Sequence, residues 1–86
     1  MGRYEIRVAE RAAKELERLG RQEQRRIVAR IERLAEEPRP RGCVKLSGAE
    51  DIYRIRIGEY RVLYEVRDAL LIVLVLRVRH RRDAYR

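Results

Sequence analysis

The sequence predicts an α+β fold: a strand, an antiparallel helix hairpin, then three to four antiparallel strands forming a twisted sheet with the helices packed on one face. Apolar residues alternate at the N-terminus, recur at helical spacing through the next segment, and alternate again across most of the C-terminal half. The two prolines and a glycine fall together between the helical and the second extended region, where a loop is required.

Tyr4, Ile6 and Val8 alternate with Glu5 and Arg7, which marks a short strand with one buried face. From Ala9 the apolar set becomes Ala9, Ala12, Ala13, Leu16 and Leu19, one helical stripe, with Gly20 as the expected C-terminal cap. A second stripe, Ile27, Ile31 and Leu34 with Val28 and Ala35 beside it, runs up to Pro38. The connection between the stripes is very short, so the helices must lie antiparallel with their apolar faces on the partner and the sheet. "EEPRPRGC" is the loop. Strand signals follow at Val44 to Leu46, Ile52 to Ile57, Tyr60 to Val66 and Leu70 to Val78. Gly58-Glu59 has the chemistry of a tight hairpin turn, and Arg67 to Ala69 forms a second turn. "LLIVLVL" is apolar on both faces, as expected of a strand inside the sheet.

The 86 residues form one domain, 1–86, with 45% apolar and 42% charged side chains, so the charge must lie on the surface of a small core. The net charge is +8, and Lys14 and Lys45 are the only lysines. Arginine in such excess suits phosphate, because the guanidinium forks onto two oxygens and keeps its proton. Cys43 is the single cysteine, which excludes an internal disulfide and fits a reducing, cytoplasmic setting. No stretch has the apolar length of a signal peptide or a membrane span, so no membrane partner is expected. One histidine and scattered carboxylates make no ligand set, so neither metal nor other cofactor is expected.

In "DIYRIRIGEYRVLYEV", Arg54 and Arg56 point away from Tyr53, Ile55 and Ile57. A tight turn at Gly58-Glu59 brings Arg61 across from Arg56. Arg77 and Arg79 share a parity on the last strand, and the chain then leaves the sheet through His80, Arg81, Arg82 and Tyr85. One sheet face therefore collects arginines, with Glu5, Glu59, Glu65 and Asp83 as the available counter-charges. Like charges set side by side on a sheet repel, and a polyanion offsets that cost. A solvated face of a generally basic protein is the plain alternative. His80 beside the cluster is the one side chain that changes charge near neutral pH.

At these residues the chain resembles a known family. The order of elements, the phrase "KLSGAEDIYRIRIGEYRVLYEV" and the terminal "RHRRDAYR" resemble the RelE toxins of the RelE/ParE toxin-antitoxin superfamily, over essentially the whole chain. The resemblance implies a ribosome-dependent endoribonuclease that cuts mRNA in the decoding site and is held inactive by a cognate antitoxin. It places Arg54 and Arg56 at the family's basic strand positions, Arg61 at its Tyr-Arg pair and Arg81 at its arginine after the last strand. Tyr85 falls where a near-terminal tyrosine stacks on the base or assists proton transfer, and His80 matches a histidine of many relatives. Arg79 stands where glycine is common, arginine replaces lysine at 54 and 56, and little or no C-terminal helix is left after Tyr85.

Cleavage by 2′-hydroxyl attack, without metal, requires charge stabilisation at the phosphorane, which suits Arg61 and Arg81. Arg54 and Arg56 grip RNA phosphates, with Arg79 and Arg82 lining the same face. Arginine gives up no proton, so His80 and Tyr85 are the acid and base candidates. The expected partners are the ribosome, mRNA and an acidic amphipathic segment of the antitoxin. Two other readings fit the composition: a ParE-like, gyrase-inhibiting toxin, and a non-catalytic RNA- or ribosome-binding module.

Overall fold

A computed structural model describes residues 3–48 and 50–84. Its strands are β1 (Glu5–Val8), β2 (Val44–Lys45), β3 (Ile52–Ile57), β4 (Tyr60–Arg67) and β5 (Ile72–His80), and its helices are α1 (Glu10–Glu17), α2 (Arg21–Arg33) and α3 (Arg81–Ala84). The strands form one sheet in the order β1-β5-β4-β3-β2. β2 to β5 pair antiparallel, as the spacing of their turns predicts, whereas β1 joins β5 in parallel with Ile6 opposite Val73. β5 is thus covered on both edges along its first half, which is why its sequence is apolar on both faces.

The helices cover one face of this sheet. Ala12 and Leu16 of α1, Ile27 and Ile31 of α2, and Leu34 just beyond it meet Tyr53, Ile55, Ile57, Val62, Tyr64, Val66, Val73, Val75 and Val78 in one core. On β3 and β4 these positions have the parity that the alternation assigns to the buried side, whereas on β5 the parity changes between Val75 and Val78. Tyr64 is the largest fully buried side chain, and its hydroxyl donates to the Pro38 carbonyl at 2.8 Å, so the proline loop is pinned across the core. Arg39 closes the same region: Nε donates to the Tyr53 hydroxyl at 2.8 Å, and Nη1 and Nη2 reach Asp68 at 3.1 and 2.7 Å.

The structure corrects several boundaries. Gly20 does not cap α1 in a left-handed conformation; its φ of −61° and ψ of 155° make it the extended N-cap of α2, which starts directly after it. The hairpin is tighter than the sequence implies because one glycine serves the entry to the second helix. Leu70 and Leu71 do not belong to β5. They form a turn in which Leu71 takes a left-handed φ of 53°, and both are exposed. At its other end β5 runs past Val78 to His80, so the chain leaves the sheet two residues later than the apolar pattern indicates. A single helical turn, α3, follows.

Candidate nucleic-acid interface

The sheet face away from the helices carries the arginines. The β3–β4 register sets Arg56 opposite Arg61 and Arg54 opposite Leu63, and the β4–β5 register sets Arg61 opposite Arg79. Arg56, Arg61 and Arg79 therefore form one rung across three strands, with neighbours about 4.8 Å apart at the backbone, and Arg54 stands about 7 Å further along β3. Gly58 makes this possible. At φ +61° it opens the β3–β4 hairpin, and the Arg26 guanidinium of α2 lies so close that an added Cβ would come within 2.9 Å of Nη1.

Two shallow hollows share Arg54 and Arg61. One of about 210 Å³ is completed by Leu46, Leu63 and Arg79; the other, about 310 Å³, by Gly42, Val44 and Arg56. Arg54 and Arg61 are half-buried, sharing the smaller hollow with the two leucines, and Arg56 is exposed. Half-buried arginines keep their charged heads at the surface. Two of the expected counter-charges are engaged with other arginines: Glu5 pairs with Arg7 at 3.0 Å and Glu65 with Arg67 at 3.3 Å. Among the described residues no ion pair reaches Arg54 or Arg56.

β5 ends at the corner of this face. The Arg81 backbone N–H donates to the Glu59 carbonyl at 2.7 Å, which extends the β4–β5 ladder to the turn, and its Nη1 stands 3.5 Å from Glu59 Oε1. Arg79 Nη2 donates to the Asp83 carbonyl at 2.6 Å, tying the arginine rung to α3. Arg82 is exposed on α3. Tyr85 lies outside the described residues.

His80 is placed differently from the arginines. It pairs with Tyr60, shares the parity of Val78 and so belongs to the helix side of the sheet. Its ring meets Tyr60 edge-on with centroids 5.2 Å apart, and Nδ1 accepts the Arg82 backbone N–H at 3.1 Å. Through this bond the imidazole caps the turn into α3. The sequence expectation that His80 edges the arginine groove is corrected by one rung of strand: because β5 continues through residue 80, parity turns the ring to the other side.

Arg77 is also withdrawn from the face. β5 carries a bulge, since Leu63 is opposite Arg77 but Tyr64 is opposite Val75. The Arg77 guanidinium donates to Glu15 Oε2 at 2.8 and 3.0 Å, and Glu15 Oε1 accepts the Val78 N–H at 2.7 Å. Burial raises the Glu15 pKa, but the bonds from Arg77 and Val78 outweigh it and hold the carboxyl below its ordinary value. The helical spacing of α1 gave no sign of this role, because Glu15 sits beside the apolar stripe like any solvated residue. Between α1 and the end of β5 remains a hollow of about 430 Å³ lined by Leu19, Tyr60, Val78, Arg18 and Arg79, among others.

The family model of the ParE toxin of the type II toxin-antitoxin system parDE matches residues 6–85. The chain is similar to the RelE of an archaeal RelE-RelB complex from Pyrococcus horikoshii OT3, with 31% identity, TM-score 0.81, and coverage of 91% of this chain and 94% of that one. It is similar also to the isolated E. coli RelE toxin, with 32% identity, TM-score 0.79, and coverage of 90% and 83%. The toxin-antitoxin complex RelBE2 from Mycobacterium tuberculosis gives 30% identity, TM-score 0.79, and coverage of 91% and 98%. Sequence match over nearly the whole chain and the shared sheet lead to one conclusion: the chain belongs to the RelE/ParE toxins of type II toxin-antitoxin systems, and its solved relatives are RelE toxins.

Proposed function

We propose that the protein is a metal-independent endoribonuclease that cuts mRNA in the decoding site of the ribosome and so halts translation in the cytoplasm. The observation that carries this reading is the arginine rung Arg56-Arg61-Arg79, with Arg54 beside it and Arg81 at its corner. Like charges directly opposite one another cost about 0.2–1 kcal/mol per pair, which an RNA phosphate backbone more than offsets.

In the reaction the ribose 2′-oxygen forms a bond to phosphorus as its proton leaves, and the bond from phosphorus to the 5′-oxygen breaks as that oxygen takes up a proton. Arg61 and Arg81 stabilise the charge on the non-bridging oxygens, the task for which fixed donors are most effective. Arg54 and Arg56 hold the strand, with Arg79 and Arg82 on its flank. Proton transfer falls to Tyr85 in this scheme, with His80 acting on the far side of the strand as a positioning group for Arg82, whose backbone N–H its Nδ1 accepts. Tyr85 serves alternatively as a stacking platform for the base.

The partner that restrains the toxin is a cognate antitoxin, the counterpart of RelB in the related RelE-RelB complex. The chemistry that fits is an acidic amphipathic segment, its apolar side in the hollow between α1 and β5 and its charge toward the arginines. A second reading rests on the matching family model, which bears the ParE name: inhibition of DNA gyrase with no RNA cleavage.

Purified protein is added to ribosomes carrying a defined mRNA, and the new 5′ ends are mapped for wild type, Arg81→Ala and His80→Ala. Cuts in the decoding site that require ribosomes and vanish in Arg81→Ala support the proposal. Intact mRNA together with inhibited gyrase supercoiling supports the ParE-like reading, and intact mRNA on occupied ribosomes supports a binding module.

A further inference from the structure

The Glu59 carboxylate pairs with Arg81, an arginine assigned above to phosphate chemistry. The turn does not require that carboxylate. Gly58 supplies the positive φ, and the structural acceptor is the Glu59 backbone carbonyl, which takes the Arg81 N–H. The side chain is 60% exposed, and its partner Arg81 is 52% exposed, so their pairing adds little to stability. Its position is nonetheless costly for a polyanion site: in the β3–β4 turn, two residues from Arg61 of the arginine rung, in a chain of net charge +8 that otherwise favours RNA.

We propose that Glu59 is a specificity-determining residue: its carboxylate competes with an RNA phosphate for the Arg81 guanidinium, so a loose strand is held weakly while a strand fixed by further contacts seats fully. The inference rests on the reading of the arginine face as the RNA site. The geometry makes the competition one-sided once a phosphate is positioned. The Glu59–Arg81 contact is long, Nη1 to Oε1 at 3.5 Å, whereas a phosphate takes the guanidinium fork with two shorter bonds. A free oligonucleotide must displace the carboxylate and also meet its repulsion, with no ribosome to hold the strand in place. Discrimination by an unfavourable charge at the rim is a general route to specificity.

The test is binding of a single-stranded RNA oligonucleotide, with a 2′-deoxy linkage to prevent cleavage, followed by fluorescence anisotropy at low salt without ribosomes. Glu59→Gln is expected to bind about two- to five-fold more tightly than wild type, the range of an exposed charge pair, with the gain shrinking as salt rises. Glu59→Asp, which keeps the charge, stays near wild type. In an Arg81→Ala background Glu59→Gln brings a smaller gain, from relief of the repulsion alone. Equal or weaker binding by Glu59→Gln overturns the proposal, and so does an equal gain in the Arg81→Ala background. Failure of wild type and Glu59→Gln alike to bind the oligonucleotide overturns it too. Ribosome-dependent cleavage by wild type, measured alongside, shows separately whether the nuclease reading stands.

Discussion

Arg39 and Arg81 are the same residue type at opposite ends of the sheet, and their surroundings differ in every respect that matters. Arg39 lies over the Tyr53 ring at 5.2 Å, bonds its hydroxyl and forks onto both Asp68 oxygens, while Tyr4 donates to the same carboxylate at 2.6 Å. Its donors are spent on the fold, and its pKa is raised by Asp68 first and Tyr53 second. Arg81 is held by its backbone and touched by one long, exposed contact to Glu59. The first arginine is built into the structure; the second keeps its fork for another acceptor. Abundance of arginine is therefore a poor guide to function, and the count of committed donors is a better one.

The comparison breaks most sharply in activity. Arg81→Ala and Arg61→Ala should each lower cleavage of ribosome-bound mRNA by about 10²- to 10³-fold, the size of losing one fixed donor at a developing oxyanion. Arg39→Ala should leave the chemistry intact and lower stability by about 1–2 kcal/mol, because it removes a cation–π contact and a bond to a half-buried hydroxyl. Thermal melts beside single-turnover kinetics check both. An Arg39→Ala protein that melts normally but fails to cut would erase the distinction between the two ends.

Glu15 sharpens the contrast on a third arginine. Arg77 shares the chain segment of Arg79 and Arg81, yet Glu15 draws it to the helix side. Glu15→Ala leaves the Val78 N–H without its acceptor and the Arg77 guanidinium unpaired, which should cost about 1–3 kcal/mol. For a domain of this size that lowers the melting temperature by roughly 4–8 °C per kcal/mol. Double mutation with Arg77→Ala should lose less than the sum, since the pair is one unit.

The fold was largely legible because periodicity reports which side of each element is buried. The parity of Arg54, Arg56 and Arg61 follows from alternation alone, and the Gly58-Glu59 turn fixes their register; Arg79 joins them only because the bulge offsets it from Val73 and Val75. What periodicity does not carry is where β1 pairs, since a parallel neighbour has no hairpin to announce it. It also misses the bulge that turns Arg77 and the added rung that turns His80, because one residue of strand reverses a side chain without changing the pattern around it. Gly20 shows the same limit in a helix: a glycine between two helices suits the end of one and the start of the other. Glu15 and Arg39 were invisible as structural ligands, because charge at a helix or loop position looks solvated until the partner strand is known.

The smallest expected effect concerns acid. Asp68 has its pKa lowered to about 2, chiefly by the Arg39 bonds and then by the Tyr4 hydroxyl. A carboxyl with a depressed folded pKa stabilises the fold above its unfolded value of about 3.9, and that contribution is lost as pH falls toward about 2. Wild type should therefore lose melting temperature between about pH 4 and pH 2 more steeply than Asp68→Asn, with the two converging at the acid end. Near neutral pH Asp68→Asn should be slightly less stable, with ribosome-dependent cleavage unchanged, because the group belongs to the committed end of the sheet. Because Asp68 is exposed, salt should shrink the difference. Parallel acid melts of the two proteins would show that the Arg39 latch does not carry the stability assigned to it.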